Sequence, residues 1–261
     1  MKGLILCGGS GTRLLPFTFS IPKQLVPVAN KPVLYYILDS LRQINIHEIG
    51  IVVGNRGGMI EKKLEKAALP GIRIKFIVQE EPLGLAHAVL TARPFLKNSS
   101  FVMILGDNLY DYNLQEALYI FEKEKADALA CLTPVDEPGL YGIAEVRGGR
   151  LVALEEKPEN PRSNLAIMGI YFFKHSIFVA VERIKPSKRG ELEITDAMGE
   201  LISMGGKVIP YSYPGWWMDI GRPEDVLRAN RRVLKRMFEL DKDWPDACGE
   251  ISSTGAHFLG N

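Results

Sequence analysis

The chain has 261 residues, 46% of them hydrophobic, with 32 Lys and Arg against 31 Asp and Glu for a formal net charge of +1. That balance gives no electrostatic case for a nucleic-acid partner, and no apolar run approaches the roughly 18 residues of a membrane helix. Cys7, Cys131 and Cys248 are scattered; they make neither a zinc spacing nor a disulfide framework, which suits a reducing cytosol, so a cytoplasmic globular protein is expected.

Taken in order, short apolar runs alternate with helical patterns. Lys2–Cys7 reads as a buried strand, Val33–Ile46 as a helix, Glu48–Val53 as a second strand, and Gly57–Ala68 as a helix with a charged outer face. Ile72–Val78 and Phe101–Leu105 are strands flanking a helix over Ala86–Phe95; Leu114–Lys125 is a helix and Ala128–Thr133 a fifth strand. Such alternation predicts a mostly parallel sheet with helices on both faces, a three-layer α/β/α sandwich. From about residue 140 the pattern changes. Tyr141–Val146 and Arg150–Glu155 read as a hairpin around Gly148 and Gly149. Ala166–Phe173 and Lys207–Tyr213 are further strands; Ile194–Met204 and Pro223–Leu240 are helices. Asp241–Asn261 has weak patterning.

Between the first strand and the first helix lies a long segment from Gly8 to Pro32, rich in glycine, proline and cations. It matches neither the phosphate loop of NTPases, nor the dinucleotide fingerprint, nor the serine-hydrolase elbow. What remains is a glycine turn followed by Arg13 and Lys23. Backbone N–H groups of such a turn, with two fixed cations, suit a triphosphate. The competing reading is a surface loop with incidental charges. Its length argues against that, because long connections inside a compact domain are usually functional.

The residues then carry a resemblance. Leu6-Cys-Gly-Gly-Ser-Gly-Thr-Arg-Leu14, Pro22-Lys-Gln-Leu-Val-Pro27, Pro82-Leu-Gly-Leu-Ala86, Leu105-Gly-Asp-Asn108, Glu155-Glu-Lys-Pro158, Arg189-Gly-Glu-Leu-Glu-Ile-Thr-Asp196 and Trp217-Met-Asp-Ile-Gly221 occur in that order. This set resembles the signature of the sugar-1-phosphate nucleotidyltransferases and spans residues 1 to about 235. The resemblance implies a Rossmann-like, mostly parallel mixed sheet with an inserted sugar-binding lobe. A nucleotidyltransferase domain over 1–240 would divide into a nucleotide part to about 135, a sugar part to about 222 and a closing helix, leaving a 241–261 tail. Ile251–Ala256 is similar to one partial turn of a left-handed β-helix, too little to stack on itself.

The resemblance also implies roles. Leu6, Gly8, Gly9, Gly11, Thr12, Arg13, Lys23, Gln24, Gln79, Pro82, Gly84 and Asp107 would bind the nucleotide, with Gln79 and Gly84 at the pyrimidine. Asp107 and Asp219 would bind Mg²⁺, an ion that prefers oxygen. Gly142, Glu156, Lys157, Ile167 and Glu191 would line the sugar-phosphate site, and Arg13, Lys23 and Lys157 would be catalytic. The bland alternatives are a turn-capping Asp107, a surface Glu156–Lys157 pair, a helix-capping Glu191, and Trp216 and Trp217 as core. The four histidines form no triad and read as structural or surface groups, although His87 stands where bacterial members of the family are expected to carry glutamine. The substrates implied are dTTP and glucose-1-phosphate, with UTP or another sugar-1-phosphate as the alternative and a non-catalytic regulatory subunit as the rival from another class. A homo-oligomer, dimer or tetramer, is expected.

Overall fold

Apolar residues fill both sides of strand β1 (Lys2–Cys7): Leu4 and Leu6 pack into one layer, Ile5 and Cys7 into the other, and all four are buried. A strand covered on both faces must be apolar throughout, which is why it reads as a continuous run. The computed structural model describes residues 1–9, 11–54, 57–67, 69–110 and 113–240. Cys248, His257, the tail and its β-helix-like stretch lie outside these residues.

Strands β2 (Glu48–Val53), β3 (Arg73–Val78) and β4 (Phe101–Leu105) join β1 in parallel, in the spatial order β3-β2-β1-β4. The next strands are β5 (Ala128–Pro134), the hairpin β6 (Gly142–Arg147) and β7 (Arg150–Glu156), β8 (Leu165–Phe173), and β9 (Val208–Ser212). β8 runs antiparallel to both β4 and β5, and β9 runs parallel to β5. These nine strands form one mixed sheet, and the β6–β7 hairpin branches from it through Ala166 of β8, paired with Ile143.

Helices α1 (Val33–Gln43), α2 (Gly57–Glu65) and α4 (Gln115–Lys123) cover one face, with Leu34, Ile37, Ile60, Leu64 and Phe121 in the shared core. Helices α3 (Leu85–Thr91), α5 (Ile177–Val181) and α6 (Ile194–Ser203) cover the other through Val89, Phe178, Met198 and Leu201. The three-layer α/β/α architecture follows. In α1 the buried residues Val33, Leu34, Ile37, Leu38 and Leu41 recur at helical spacing. Each such side chain contributes about 1.5–3 kcal/mol on full burial.

Several details differ from the sequence expectations. The helix expected over Ala86–Phe95 is broken, with a separate turn at Arg93–Leu96. Pro94 has no N–H to donate to the preceding turn, and its ring collides there. The opening segment holds three 3₁₀ turns (Thr12–Leu14, Phe17–Phe19, Lys23–Leu25) and a short ladder pairing Pro27–Val28 with Lys31–Pro32. Helix α5 was not foreseen. A third, smaller core of Leu14, Val26, Val28, Leu109, Ile220, Val226 and Ala229 clamps the opening segment under helix α7 (Pro223–Leu240). The Asp225 carboxylate accepts the backbone N–H groups of Gly221 (3.3 Å) and Arg222 (2.8 Å), capping the start of α7. Among the described residues no helix is long and apolar enough to cross a membrane.

Candidate active site

The strand order reverses between β1 and β4, and open α/β sheets bind ligands outside the carboxyl ends of the strands at such a point. A cleft of about 370 Å³ opens there. Its floor is the end of β1, where Gly8 and Gly9 follow Cys7, and the end of β4, where Gly106 N–H donates to Leu6 O at 2.9 Å. Gly9 has φ +96°, a left-handed conformation that lets the chain turn sharply out of the sheet.

A second, two-stranded ladder brings the two aspartates together. Asn108–Tyr110 pairs antiparallel with Trp217–Asp219, Asp219 lies opposite Asn108, and Ile220 N–H donates to Asp107 O at 3.0 Å. The Lys23 ammonium is ion-paired to Asp107. Arg13 stands close to Asp219 beside Gly221: a Cβ placed on Gly221 would sit 3.3 Å from Asp219 Oδ2 and 3.6 Å from Arg13 Nη2. Burial, and then the charge of Asp107, push the Asp219 carboxyl up to about 7, with Lys23 and Arg13 acting against the rise. Burial pulls the Lys23 ammonium down, but the charge and hydrogen bond of Asp107, with Asp219 behind it, more than offset this and raise it. A buried Asp219 carboxyl that resists ionisation beside Asp107 is held ready for positive charge.

Gln79, Pro82 and Gly84 line the cleft where it meets the start of α3. Gly84 has φ +103°, and a Cβ there would lie 2.5 Å from Leu192 O, so only glycine fits. Gly142, Glu156, Lys157 and Ile167, from the hairpin, the residue after it and β8, line the cleft as well. Arg189 holds three carboxylates there: Glu156 at 3.4 Å, Glu193 at 3.3 Å and Glu191 at 3.2 Å. Burial, and then the charge of Glu193, raise the Glu156 carboxyl above its ordinary range. Lys157 is left-handed (φ 45°), its N–H donates to Tyr141 O at 3.0 Å, and its ammonium stands 4.0 Å from Glu156. Tyr141 meets Trp217 edge-on at 5.5 Å, and both line the cleft.

Of the residues singled out in the sequence, Leu6, Gly8, Gly9, Arg13, Lys23, Gln79, Pro82, Gly84, Asp107, Gly142, Glu156, Lys157, Ile167, Glu191 and Asp219 line this one cleft. Gly11, Thr12 and Gln24 are not among the lining residues. Gln24 is buried and donates to Gly8 O at 3.4 Å, bracing the glycine turn from beneath, while Gly11 O accepts from Thr18 Oγ1 at 2.7 Å. Glu191 pairs with Arg189, and Glu193, not Glu191, stands at the N-cap of α6. Arg189 joins the site without an assigned role; it lies in a turn before α6, so no helical spacing marks its pairing with Glu193. His87 touches Gln79 and is no mere surface group.

The sequence profile of the Nucleotidyl transferase family matches residues 2–236. The chain belongs to that family. It is 45% identical over 237 residues to "Low-salt glycan biosynthesis nucleotidyltransferase Agl11" of Haloferax volcanii, covering 90% of this chain and 66% of that protein. It is also 45% identical over 236 residues to a glucose-1-phosphate thymidylyltransferase of Streptomyces griseus, with coverage of 90% and 66%. The chain thus spans about two thirds of the length of these two relatives. "UTP--glucose-1-phosphate uridylyltransferase AglF" of Haloferax volcanii is 36% identical over 236 residues, covering 89% of this chain and 96% of that one. Among solved structures, a putative glucose-1-phosphate thymidylyltransferase from Bacillus anthracis in complex with sucrose superposes with a TM-score of 0.83 at 34% identity, covering 89% of this chain and 94% of that one.

The donor set also fits a hard cation. Asp107 and Asp219 adjoin, and no group of three or more His, Cys, Asp or Glu able to hold a metal occurs among the described residues. Two carboxylates alone suit an ion that keeps several waters and takes its other ligands from substrate phosphates, which is the habit of Mg²⁺.

Proposed function

We propose that the chain transfers a nucleotidyl group from dTTP to glucose-1-phosphate, releasing pyrophosphate and forming dTDP-glucose. One observation carries this reading: a cluster of Arg13, Lys23, Asp107 and Asp219 lies in the same cleft as the Gln79 amide and the Glu156, Glu191 and Glu193 carboxylates. In this arrangement the base sits by Gln79 and Gly84, the triphosphate runs over Gly8–Gly9, and the sugar lies against Glu156 and Lys157. Asp107 and Asp219 would hold Mg²⁺, which supplies charge neutralisation at the phosphates.

The chemistry left to the chain is positioning and electrostatics. The attacking oxygen of the sugar phosphate is already anionic, so no general base is required. Lys157 holds that phosphate in line with the α-phosphorus. Arg13 faces the charge that develops on departing pyrophosphate, and Lys23 supports it while paired to Asp107. Cys7 lies beneath Gly106, and burial raises its thiol, so it is inert as a nucleophile.

The second reading, a uridylyltransferase, differs by one methyl on the base, worth about 1–3 kcal/mol in a pocket. The similarity to AglF favours keeping it. Pyrophosphate release measured with dTTP or UTP against glucose-1-phosphate tests both. Faster turnover with dTTP supports the first reading and faster turnover with UTP the second. No release with either would overturn both and favour a non-catalytic role.

A further inference from the structure

Gln79 follows β3 and carries its amide into the cleft. Its Nε2 donates to Gly84 O at 3.2 Å and lies 2.9 Å from His87 Nδ1. An amide nitrogen has two hydrogens, and here two acceptors take them. The other end, Oε1, sits 3.7 Å from where a Cβ on Gly8 would stand, facing the glycine turn. Reversing the amide would set Oε1 against a carbonyl oxygen and an imidazole lone pair together.

The support under His87 is rigid. α3 begins immediately after Gly84, Ala86 N–H donates to Leu192 O at 3.0 Å, and Leu192 N–H donates to Leu83 O at 2.8 Å. The backbone that carries the imidazole is therefore tied to the segment before α6. An imidazole with its proton on Nε2 presents an acceptor at Nδ1.

The geometry points to His87 as a positioning residue that locks the Gln79 amide in one orientation, so that the nucleobase edge meets an acceptor and never a donor. This rests on the reading of Gln79 as the base contact. An acceptor at that place selects a base whose facing edge carries an N–H. Thymine and uracil present N3–H; cytosine presents a lone pair at N3 and is repelled. A freely turning amide would serve either. Gly84 O opposes reversal through one of the two amide hydrogens, and His87 Nδ1 adds to it by taking the other.

The test is steady-state kinetics with glucose-1-phosphate and dTTP, UTP, dCTP or CTP, on wild type, His87→Phe, His87→Leu and His87→Gln. Phe and Leu remove the acceptor in two different shapes; Gln restores one. With either apolar variant, KM for dTTP and UTP is expected to rise about tenfold, and the preference over dCTP and CTP to fall about tenfold, the scale of one hydrogen bond made or opposed. The kcat at saturation stays within about twofold, because the lock acts at the base, while His87→Gln keeps the preference. Wild type that turns over dTTP while Phe and Leu variants keep its preference would overturn the lock alone, as would a His87→Gln variant that loses the preference as fully as they do. Wild type that turns over dTTP and dCTP equally well would also overturn it. Wild type that uses no pyrimidine triphosphate would overturn the base-contact reading and the lock with it.

Discussion

Lys23→Met removes the counter-ion of Asp107 while keeping most of the aliphatic stem. The two side chains are 19% and 12% exposed and directly paired. Breaking a fully buried pair costs about 3–5 kcal/mol, because the remaining charge is stranded. Some water still reaches this pair, so the expected loss is about 2–3 kcal/mol in metal-free protein. Asp219 adds to it, since its own ionisation is opposed by Asp107 and favoured by Lys23. A divalent cation then substitutes for the missing ammonium. At a hundred times its Kd, a ligand adds about 2.7 kcal/mol to the folded state, and the variant should gain more than wild type because no ammonium competes for Asp107. Urea unfolding followed by tryptophan fluorescence, in chelator and in excess Mg²⁺, reads both effects. A variant within about 0.5 kcal/mol of wild type in chelator, the range of an ordinary surface substitution, would refute the coupled-charge reasoning. An equal gain with Mg²⁺ in both proteins would refute the assignment of the cation to these carboxylates.

Arg13→Ala should lower kcat/KM by about 10²–10³-fold, the scale for one preorganised charge stabiliser; turnover near that of wild type would remove Arg13 from the reacting phosphates. Asp219 supplies a pH prediction for metal-free protein. Its folded-state value is raised from 3.8 to about 7, so the folded chain holds an extra proton between those values and loses stability as pH rises through that window. Asp219→Asn should therefore unfold later than wild type at about pH 8, by an amount on the order of 1–2 kcal/mol once solvent screening is allowed for, with the gap closing below about pH 4. Thermal melts at the two pH values check this, and a gap that widens on acidification would contradict it.

Much of the central sheet was legible because β1, β2 and β4 are buried on both faces and so read as unbroken apolar runs. The break at Pro94 was equally visible in principle, since proline's missing donor is a local property. The ladder joining Asn108–Tyr110 to Trp217–Asp219 was not. Three-residue strands show no periodicity, and their pairing depends on the whole sheet being assembled. The nearness of Asp107 to Asp219 was therefore reached through resemblance alone. Lys23 is legible from the glycine turn, but its ion pair is not, because the partner lies 84 residues away. His87 escaped because a lone histidine on a helix carries no local signal, and its partner Gln79 sits on another element.

The central claim is a single displacement at the α-phosphorus, driven by gathered charge and without a covalent adduct to the protein. Turnover of dTTP made chiral at the α-phosphorus by one sulfur atom measures this directly. Inversion of configuration in the sugar nucleotide is the predicted result; retention would reveal two displacements and a nucleotidylated side chain, and would contradict the account.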